Sequence, residues 1–418
     1  MSSDKNHKNS KVKLTKAEKK RLMKAKKEDL SPELRRVQKN LFQHRRRKRR
    51  RVLLVIEILI LLFLIAVIWV WNKIGKINFQ GEMKDVKKNK LDSKTEKMLS
   101  GYTTIAIFGL DNRTNGTYKS GRSDTIMIAS INNDTKQVSI VSVLRDSYLD
   151  IDGTENLDKA NAAYAYGGPE QAVNMLNRNL DLDIEDYVVV DFKAVADAVD
   201  AVGGVEITVD SETAKAMMQC WGECEEVVGR KSTIVKPSDQ PQLLDGVQAL
   251  CYARTRHTSG DDFRRASRQR EVVDQVVKKA KKANLSQINN MIDSIFPEIS
   301  TSLSAPELIG MASGMKDYTI SQSIGFPFTV ATGTMGKSGS VVIPCTLESN
   351  VKLLYRFLYG NNDYEPSETV RERSAYIEKR TGKGEKDGIM YGYNGLTDEQ
   401  TTTVKGGNDS ANKEDSPQ

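Results

Sequence analysis

The chain has 418 residues, and its 63 Lys and Arg against 55 Asp and Glu give a formal net charge of +8. Residues 1–51 hold 21 of the basic and 5 of the acidic residues, so the rest of the chain, with 42 and 50, is mildly acidic and does not favour nonspecific nucleic-acid binding. Only one of the three histidines, His257, lies beyond residue 51, so nucleophilic catalysis of the Ser-His-Asp or Cys-His kind would have to run through it.

The N-terminal part of the chain has the pattern of a membrane anchor. Residues 52–71, VLLVIEILILLFLIAVIWVW, are apolar apart from Glu57. At about 1.5 Å per residue they are long enough to span a bilayer core of roughly 30 Å. No small-residue cleavage site follows, which predicts a retained transmembrane helix in the cell membrane. The basic run HRRRKRRR at 44–51 predicts a cytoplasmic N-terminus and an extracytoplasmic location for residues 72–418.

Two polar segments flank this anchor. Residues 1–51 contain few apolar side chains and are predicted to be a disordered cytoplasmic tail that is attracted to anionic lipid headgroups, with DNA binding as the alternative. Residues 72–99 are polar and rich in lysine and are predicted to be a linker.

The segment that follows alternates strand and helix patterns. Runs rich in β-branched residues predict strands at 102–109, 125–131, 137–144, 187–192, 205–209, 248–256, 321–329 and 340–343. Helical patterns are found at 167–180, 193–202, from 264 to about 283, at 285–295 and at 306–315, whereas the stretch with Cys220 and Cys224 is interpreted as irregular. This alternation without repeats predicts one α/β (α+β) domain over residues 100–378, with a central mixed sheet flanked by helices. Residues 379–418 are predicted to be a disordered tail.

An arginine-rich segment, RTRHTSGDDFRRASRQR at 254–270, carries six arginines and two adjacent aspartates. The planar fork of arginine matches phosphate oxygens, so this density indicates a site for a multiply charged anion, with a solvated helix start as the alternative. On the helix predicted from residue 264, Arg265 and Gln269 fall on the apolar arc that faces the core. Arg264, Ser267 and Arg270 fall outside it, toward water, and Arg268 lies at its edge.

Two aspartates flank the first two strands of the domain. Asp111 follows the first strand and Asp124 precedes the second, so an antiparallel pairing would bring both carboxylates to one edge of the sheet. A third strand returning through the turn at 132–136 would bring its own exit, Leu144-Arg145-Asp146, to the same edge. Two carboxylates together with substrate phosphate oxygens are a usual way to hold Mg²⁺, although aspartates are also common as plain turn residues.

All four cysteines follow the anchor. The spacing of Cys220 and Cys224 is one that a local disulfide can close in an oxidising compartment. Cys251 and Cys345 lie in apolar runs and are either buried thiols or a second bridge. The lack of a second CxxC-type pair and the single histidine do not favour a zinc site.

Several short motifs occur together in a fixed order after the anchor. They are GLDNR (109–113), GRSDTIMI (121–128), SVLRD (142–146), KANAAY (159–164), GGVEI (203–207), LDGVQALCYARTR (244–256) and GDDFRRASRQR (260–270). Over residues 100–330 this pattern resembles the LytR-CpsA-Psr family of cell-wall glycopolymer ligases. The resemblance implies an enzyme that moves teichoic acid, capsular or similar polymers from an undecaprenyl-pyrophosphate carrier onto peptidoglycan, with a divalent metal, Mg²⁺ or Mn²⁺, on the pyrophosphate.

The same resemblance implies roles for individual residues. Asp111 and Asp124 would be associated with the metal, Asp262 would lie beside the reacting phosphorus, and the pyrophosphate would be bound by Arg145, Arg254, Arg256, Arg265 and Gln269. We expect Arg145 and Asp262 to be catalytic, with Asp262 accepting the proton of the incoming hydroxyl, unless it is an N-terminal helix cap.

Phosphoryl transfer depends on charge neutralisation and positioning and requires no histidine, which is consistent with the composition. The expected partners are the lipid-linked polymer, peptidoglycan and membrane lipids, and not nucleic acid. Two alternative functions stay open at this point. One is a lipid-pyrophosphate phosphatase that uses water as acceptor, and the other is a non-catalytic regulator in the membrane.

Overall fold

The computed structural model describes residues 15–110, 118, 121–256 and 261–390. The chain divides into two compact units, Met1–Asn72 and Lys73–Gln418. The first unit contains α1 (Lys16–Lys24) and nearly all of α2 (Pro32–Ile74). Within the described part of the chain, α2 is the one helix that is long and apolar enough to cross a membrane.

The α2 helix includes the predicted transmembrane segment but begins 20 residues before it, at Pro32. Its apolar side chains are exposed at 53–56, 59–69 and 71, as expected for a surface that faces lipid. The tail predicted to be disordered therefore contains helix, because Lys, Arg, Leu and Gln are good helix formers and Thr15 and Glu18 form a capping box at the start of α1.

The second unit alternates strands and helices. In chain order it contains β1 (Asn78–Phe79), α3 (Ser93–Leu99), β2 (Tyr102–Leu110), β3 (Ser123–Asn132), β4 (Gln137–Val143), β5 (Tyr148–Asp150), β6 (Leu157–Lys159), α4 (Ala160–Leu180), β7 (Asp186–Asp191), α5 (Phe192–Ala201), β8 (Val205–Ile207), α6 (Ser211–Val228), β9 (Gln242–Leu244), α7 (Gly246–Arg254), α8 (Asp261–Ala280), α9 (Leu285–Ile295), β10 (Ile299–Thr301), α10 (Ala305–Ser313), β11 (Thr319–Phe326), β12 (Thr329–Met335), β13 (Gly339–Pro344), α11 (Leu347–Tyr359), α12 (Glu368–Thr381) and β14 (Ile389–Met390).

The central sheet has seven strands in the order β1-β10-β7-β2-β3-β4-β11. It is mixed: β2 is antiparallel to β3 and β3 to β4, whereas β7 is parallel to β2 and β11 is parallel to β4. Smaller sheets are formed by β13-β12-β14, β5-β6 and β8-β9. This architecture confirms the predicted α/β (α+β) fold with a central mixed sheet and flanking helices.

Two large apolar clusters and a third, small one around Phe263 support the described part of the fold. The larger one packs sheet residues such as Phe108 against α4 and α11, which contribute Tyr164 and Tyr355. The second cluster lies among α5, α6 and α7 and includes Phe192, Trp221 and other buried side chains of these three helices. The second cluster holds the helices from which the arginine segment emerges.

One predicted strand, at 248–256, is wrong, because this segment forms the helix α7. Asp245 and Gln248 make a capping box at its start, a signal that the apolar run concealed. Gly246 is required there, since a Cβ on it would lie 2.2 Å from the carbonyl oxygen of Ala196. The interpretation of the Cys220 region as irregular is also wrong, because α6 runs through it from an N-cap at Asp210 to a left-handed Gly229.

Other boundaries differ less. The helix predicted to begin at Gly167 begins at Ala160 instead and is kinked at Gly167 and Gly168, immediately before Pro169. The predicted strand at 187–192 and the helix at 285–295 are confirmed as β7 and α9. The segment predicted to be a linker contains β1 and α3, and α12 and β14 extend past residue 378, so the domain boundaries at 99 and 378 stay predictions.

Candidate active site

The site lies at the edge of the sheet where β2 ends, β3 begins and β4 ends. Leu110 pairs with Ser123, which brings the start of β3 to the last residue of β2. The antiparallel pairing of β3 with β4 then places Arg145 beside Asp124, as the sequence predicted. Arg145 Nη1 donates a hydrogen bond of 2.8 Å to Asp124 Oδ1. The second predicted carboxylate, Asp111, lies outside the described residues.

A second arginine reaches the same carboxylate from the segment between α7 and α8. Arg256 Nη2 donates to Asp124 Oδ2 at 3.3 Å. Asp124 is therefore held between two guanidinium groups, one from the sheet and one from the arginine-rich segment. Two cations thus lie close together at one edge and share the Asp124 carboxylate.

Asp262 lies on the other side of Arg145. Its Oδ1 is 2.9 Å from Arg265 Nη2, and its Oδ2 is 3.6 Å from Arg145 Nε. Asp262 is the second residue of α8, whereas an N-terminal cap precedes the first helical residue. The contact with Arg145 gives the carboxylate a partner from outside α8, so capping alone does not explain its place.

Two residues that the sequence analysis did not assign to the site complete this cluster. Asp146 is hydrogen-bonded to Asp262, and Lys159 Nζ is 3.0 Å from Asp146 Oδ1. Burial raises the pKa of Asp146, and the hydrogen bond with Asp262 raises it further. Burial opposes ionisation of Asp262 as well, but the bond from Asp146 and the nearby guanidinium of Arg265 lower its pKa overall. The two environments therefore shift the carboxyl pKa values in opposite directions, upward for Asp146 and downward for Asp262.

The signal for both residues was present in the sequence. Asp146 closes the motif SVLRD and Lys159 opens KANAAY. Neither motif by itself indicates that the chain folds back as the hairpin of β5 and β6, which pairs Tyr148 with Lys159. The contact depends on that pairing, and local pattern does not reveal it.

Two buried guanidinium donors in this cluster have no hydrogen-bond partner among the described residues. They are Arg265 Nη1 and Arg145 Nε. Burial lowers the pKa of Arg265 to about 10, which is still high enough to keep the group charged at neutral pH. A buried donor without an acceptor costs roughly 1–3 kcal/mol, and more when it is charged. This arrangement is typical of a site that awaits an anion.

A pocket of about 380 Å³ opens beside the cluster. Four of the five residues predicted to bind pyrophosphate line this pocket. The fifth, Arg145, does not line it but donates a hydrogen bond to Asp124, which does. Arg254 lies over the ring of Phe192 at 4.5 Å and is 3.2 Å from Glu223. The lining residues are Asp124, Phe192, Ala216, Gln219, Cys220, Glu223, Arg254, Arg256, Arg265 and Gln269.

The prediction that only one face of α8 is buried is wrong. Arg265 is buried as expected, but Ser267, Arg268 and Arg270 are buried too, with Arg270 only 4% exposed. The first half of α8 packs against α7, β8 and β11, so it has no face that is fully open to water. Arg268 donates to the carbonyl of Thr255 at 3.3 Å. Arg270 extends toward β11, where a Cβ on Gly325 would lie 3.9 Å from its Nη1.

Asp124 offers the kind of donor that a magnesium or manganese ion accepts. Its carboxylate oxygens are hard ligands at the edge of a pocket lined by phosphate-binding side chains. Both oxygens also contact guanidinium groups, so an ion there would share the carboxylate with Arg145 and Arg256. The donor chemistry fits such an ion, and Asp111 stays the predicted second ligand.

The predicted disulfide loop is absent among the described residues, and all four cysteines are free thiols. Cys220 and Cys224 lie one turn apart in α6, on the same side of the helix. Cys251 of α7 joins them, and the three Sγ atoms lie within 4.8 Å of one another. Cys345 is a buried thiol at the end of β13, away from this cluster.

Comparison with known proteins identifies similar chains. The LytR_cpsA_psr family model matches residues 73–336. A polyisoprenyl-teichoic acid–peptidoglycan teichoic acid transferase, TagU, from Enterococcus faecalis is 32% identical over 207 residues, which are 49% of this chain and 63% of that protein. TagU from Bacillus cereus is 33% identical over 216 residues, 51% of this chain and 65% of that protein. The match thus spans less than two thirds of the length of these relatives.

A solved structure shares the fold. Protein gbs0355 from Streptococcus agalactiae superposes with a TM-score of 0.56 at 22% identity, covering 70% of this chain and 98% of that chain. At this identity the likeness concerns the fold alone.

Proposed function

The chain belongs to the LytR_cpsA_psr family, and we propose that it is a phosphotransferase that moves an anionic glycopolymer from an undecaprenyl-pyrophosphate carrier onto peptidoglycan. The observation that carries this proposal is a pair of buried donors, Arg145 Nε and Arg265 Nη1, that have no hydrogen-bond partner among the described residues and lie beside a pocket lined by further arginines. The relatives named TagU are described as transferring teichoic acid from a polyisoprenyl carrier to peptidoglycan.

The charges of the pocket match those of a pyrophosphate. A pyrophosphate diester carries two negative charges, and Arg145, Arg256 and Arg265 present guanidinium groups from three different segments of the chain. Asp124 and Asp262 offset two of these three charges, so a bound pyrophosphate would leave one net negative charge, which Arg254 on the pocket wall would offset. Arg254 and Gln269 extend the donor set along the pocket wall.

In the proposed reaction a hydroxyl oxygen of the peptidoglycan sugar forms a bond to the phosphorus that carries the polymer. The bond from that phosphorus to the bridging oxygen breaks, and the lipid leaves as its monophosphate. Asp262, whose pKa is lowered by its neighbours Asp146 and Arg265, accepts the hydroxyl proton. The guanidinium groups of Arg145 and Arg265, both within 3.6 Å of Asp262, stabilise the negative charge that develops on the phosphate oxygens.

Asp124, with Asp111 as its predicted partner, would hold a Mg²⁺ or Mn²⁺ ion. Such an ion supplies additional positive charge to the pyrophosphate and its leaving group. The arginines and the carboxyl pair perform the binding and the proton transfer described above.

We further propose that α2 anchors the chain in the cell membrane with the N-terminus in the cytoplasm and the second unit outside. The basic run at 44–51 at the cytoplasmic end of the apolar segment supports this orientation, and it would contact anionic membrane lipids. In this location the site has access both to a lipid-linked substrate and to peptidoglycan.

The acceptor distinguishes this function from hydrolysis. Full-length protein in detergent, incubated with a lipid-pyrophosphate-linked saccharide, Mg²⁺ and peptidoglycan fragments, should yield a saccharide-phosphate-glycan adduct by mass spectrometry. The test variant is Arg265→Met, and its matched control is Arg264→Met, since Arg264 is the neighbour on α8 with a side chain 36% exposed. Release of free saccharide phosphate without adduct would establish a phosphatase, and unchanged substrate would favour the non-catalytic role.

A further inference from the structure

A cluster of three thiols lies between α6 and α7, at the wall of the pocket. Cys220 and Cys224 are separated by one turn of α6, so both sulfur atoms project from one side of that helix. Cys251 faces them from α7, and the three Sγ atoms lie within 4.8 Å of one another. Cys224 and Cys251 are fully buried in the apolar cluster of these helices, and Cys220 is partly exposed.

We propose that Cys220, Cys224 and Cys251 bind one thiophilic divalent cation of the zinc class. A tetrahedral site with Zn–S bonds of about 2.3 Å requires sulfur atoms about 3.8 Å apart. The present separations, at most 4.8 Å, reach that value by a contraction of about 1 Å or less. Small rotations of three side chains on two packed helices provide this contraction without moving the backbone.

The position of Cys251 in the sequence explains why the sequence pattern did not favour a zinc site. The pair Cys220 and Cys224 has no second cysteine pair nearby, and 26 residues separate it from Cys251. Because α7 is a helix that packs against α6, Cys251 lies next to the other two cysteines. The cluster is thus a product of helix packing, and two of its ligands are already positioned on a rigid element.

The surroundings suit a metal held by thiolates. Three thiolates around a divalent cation carry one net negative charge, and Arg254 Nη1 lies 3.8 Å from Cys224 Sγ, where it can offset that charge. Three protein ligands leave one tetrahedral position open. Cys220 is the cluster member that lines the pocket, so this open position faces the pocket and would be taken by water or another oxygen ligand.

A disulfide accounts for the cluster less well. Two cysteines one turn apart in a helix hold their Cβ atoms farther apart than the mean of about 3.8 Å for a disulfide. A bridge from Cys220 to Cys251 would use two thiols and leave Cys224 buried without a role. A metal uses all three, and it would fasten α6 to α7, whose last residue is the pocket residue Arg254.

The test uses full-length protein in detergent, reduced, stripped with a chelator, reloaded with Zn²⁺ and passed over a desalting column. Elemental analysis should find close to one zinc per chain in the wild type. Cys345→Ser should retain this zinc, because Cys345 is a free thiol outside the cluster. Cys220→Ser and Cys251→Ser should lose it. Loading is measured without any transfer assay, so its failure is distinguishable from failure of the proposed function.

A second measurement removes the dependence on variants that fold poorly. Titration of the stripped wild type with Cd²⁺ should produce sulfur-to-cadmium charge-transfer absorption that saturates at one equivalent, with the intensity expected of three thiolates. Absence of this absorption, or equal zinc in the wild type and Cys220→Ser, would overturn the proposal. Peptide mapping that recovers Cys220 linked to Cys251 in protein taken from membranes would also overturn it and establish a disulfide instead.

Discussion

Replacement of Arg265 with Met separates charge from volume at the centre of the proposed site. Arg265 is 4% exposed, its Nη2 pairs with Asp262 at 2.9 Å, and its Nη1 has no hydrogen-bond partner in the part of the chain that the structure describes. Met fills most of the same space but cannot donate. The substitution therefore removes the donor that we assign to the pyrophosphate and leaves packing nearly intact.

The expected loss follows from one charge-assisted hydrogen bond. Such a bond contributes about 1.5–3 kcal/mol, which corresponds to a decrease in kcat/KM of roughly 10- to 150-fold. Removal of one partner from a buried ion pair costs about 3–5 kcal/mol. Asp262 keeps Arg145 as a charged neighbour at 3.6 Å, so we expect Arg265→Met to fold with reduced stability. Denaturation curves of both proteins check this point.

The assay is transfer of a lipid-linked saccharide to peptidoglycan fragments, with Arg264→Met measured in parallel. Arg264 occupies the next position of α8, is 36% exposed and has only a weak ion pair of 3.7 Å with Glu212, so its replacement should change kcat/KM less than twofold. Equal losses in the two variants would refute the assignment, because they would show that position on the helix does not matter.

Three other predictions address the carboxylates and the metal. Asp262→Asn should lower transfer by roughly 10²-fold while lipid-pyrophosphate binding, followed by calorimetry, stays equal or becomes tighter; normal transfer would eliminate Asp262 as the base. Asp146→Asn should raise the free energy of unfolding more at pH 7 than at pH 4. The pKa of Asp146 is raised in the folded state, so the wild type regains stability as pH falls through that pKa toward the ordinary value. If denaturant titration shows that the gain in stability from Asp146→Asn grows in acid, the raised pKa of Asp146 is contradicted. Chelation with EDTA should abolish transfer, and Mg²⁺ or Mn²⁺ added without zinc should restore it; transfer that persists in EDTA would remove the ion from the reaction.

Much of the site's location followed from patterns that are local in the chain. The alternation of strands and turns was sufficient to predict that the second and third strands of the domain return to one edge, and Asp124 and Arg145 do meet there. Strand alternation has a period of two, so the register of a short antiparallel meander is strongly constrained. The length and composition of the apolar segment likewise predicted one helix of membrane-spanning length.

Helix periodicity was a weaker guide to burial. It correctly placed Arg265 in the interior but left Arg270 in solvent, although Arg270 is 4% exposed. A helical wheel assumes one buried face, whereas α8 contacts α7, β8 and β11 at once. The number of neighbours around a helix is a property of the tertiary structure.

From its own residues the sequence determined a helix of membrane-spanning length, the class of fold, the sheet edge that carries Asp124 and Arg145, and the arginine segment, because each depends on a periodicity or a composition that is read within about 20 residues. The tertiary structure alone decided the pairing of Asp146 with Asp262, the helical state of Gly246–Arg254 and the meeting of Cys251 with Cys220 and Cys224. These depend on contacts between elements distant in the chain, and packing outweighs local preference wherever an apolar run can satisfy its backbone as either strand or helix.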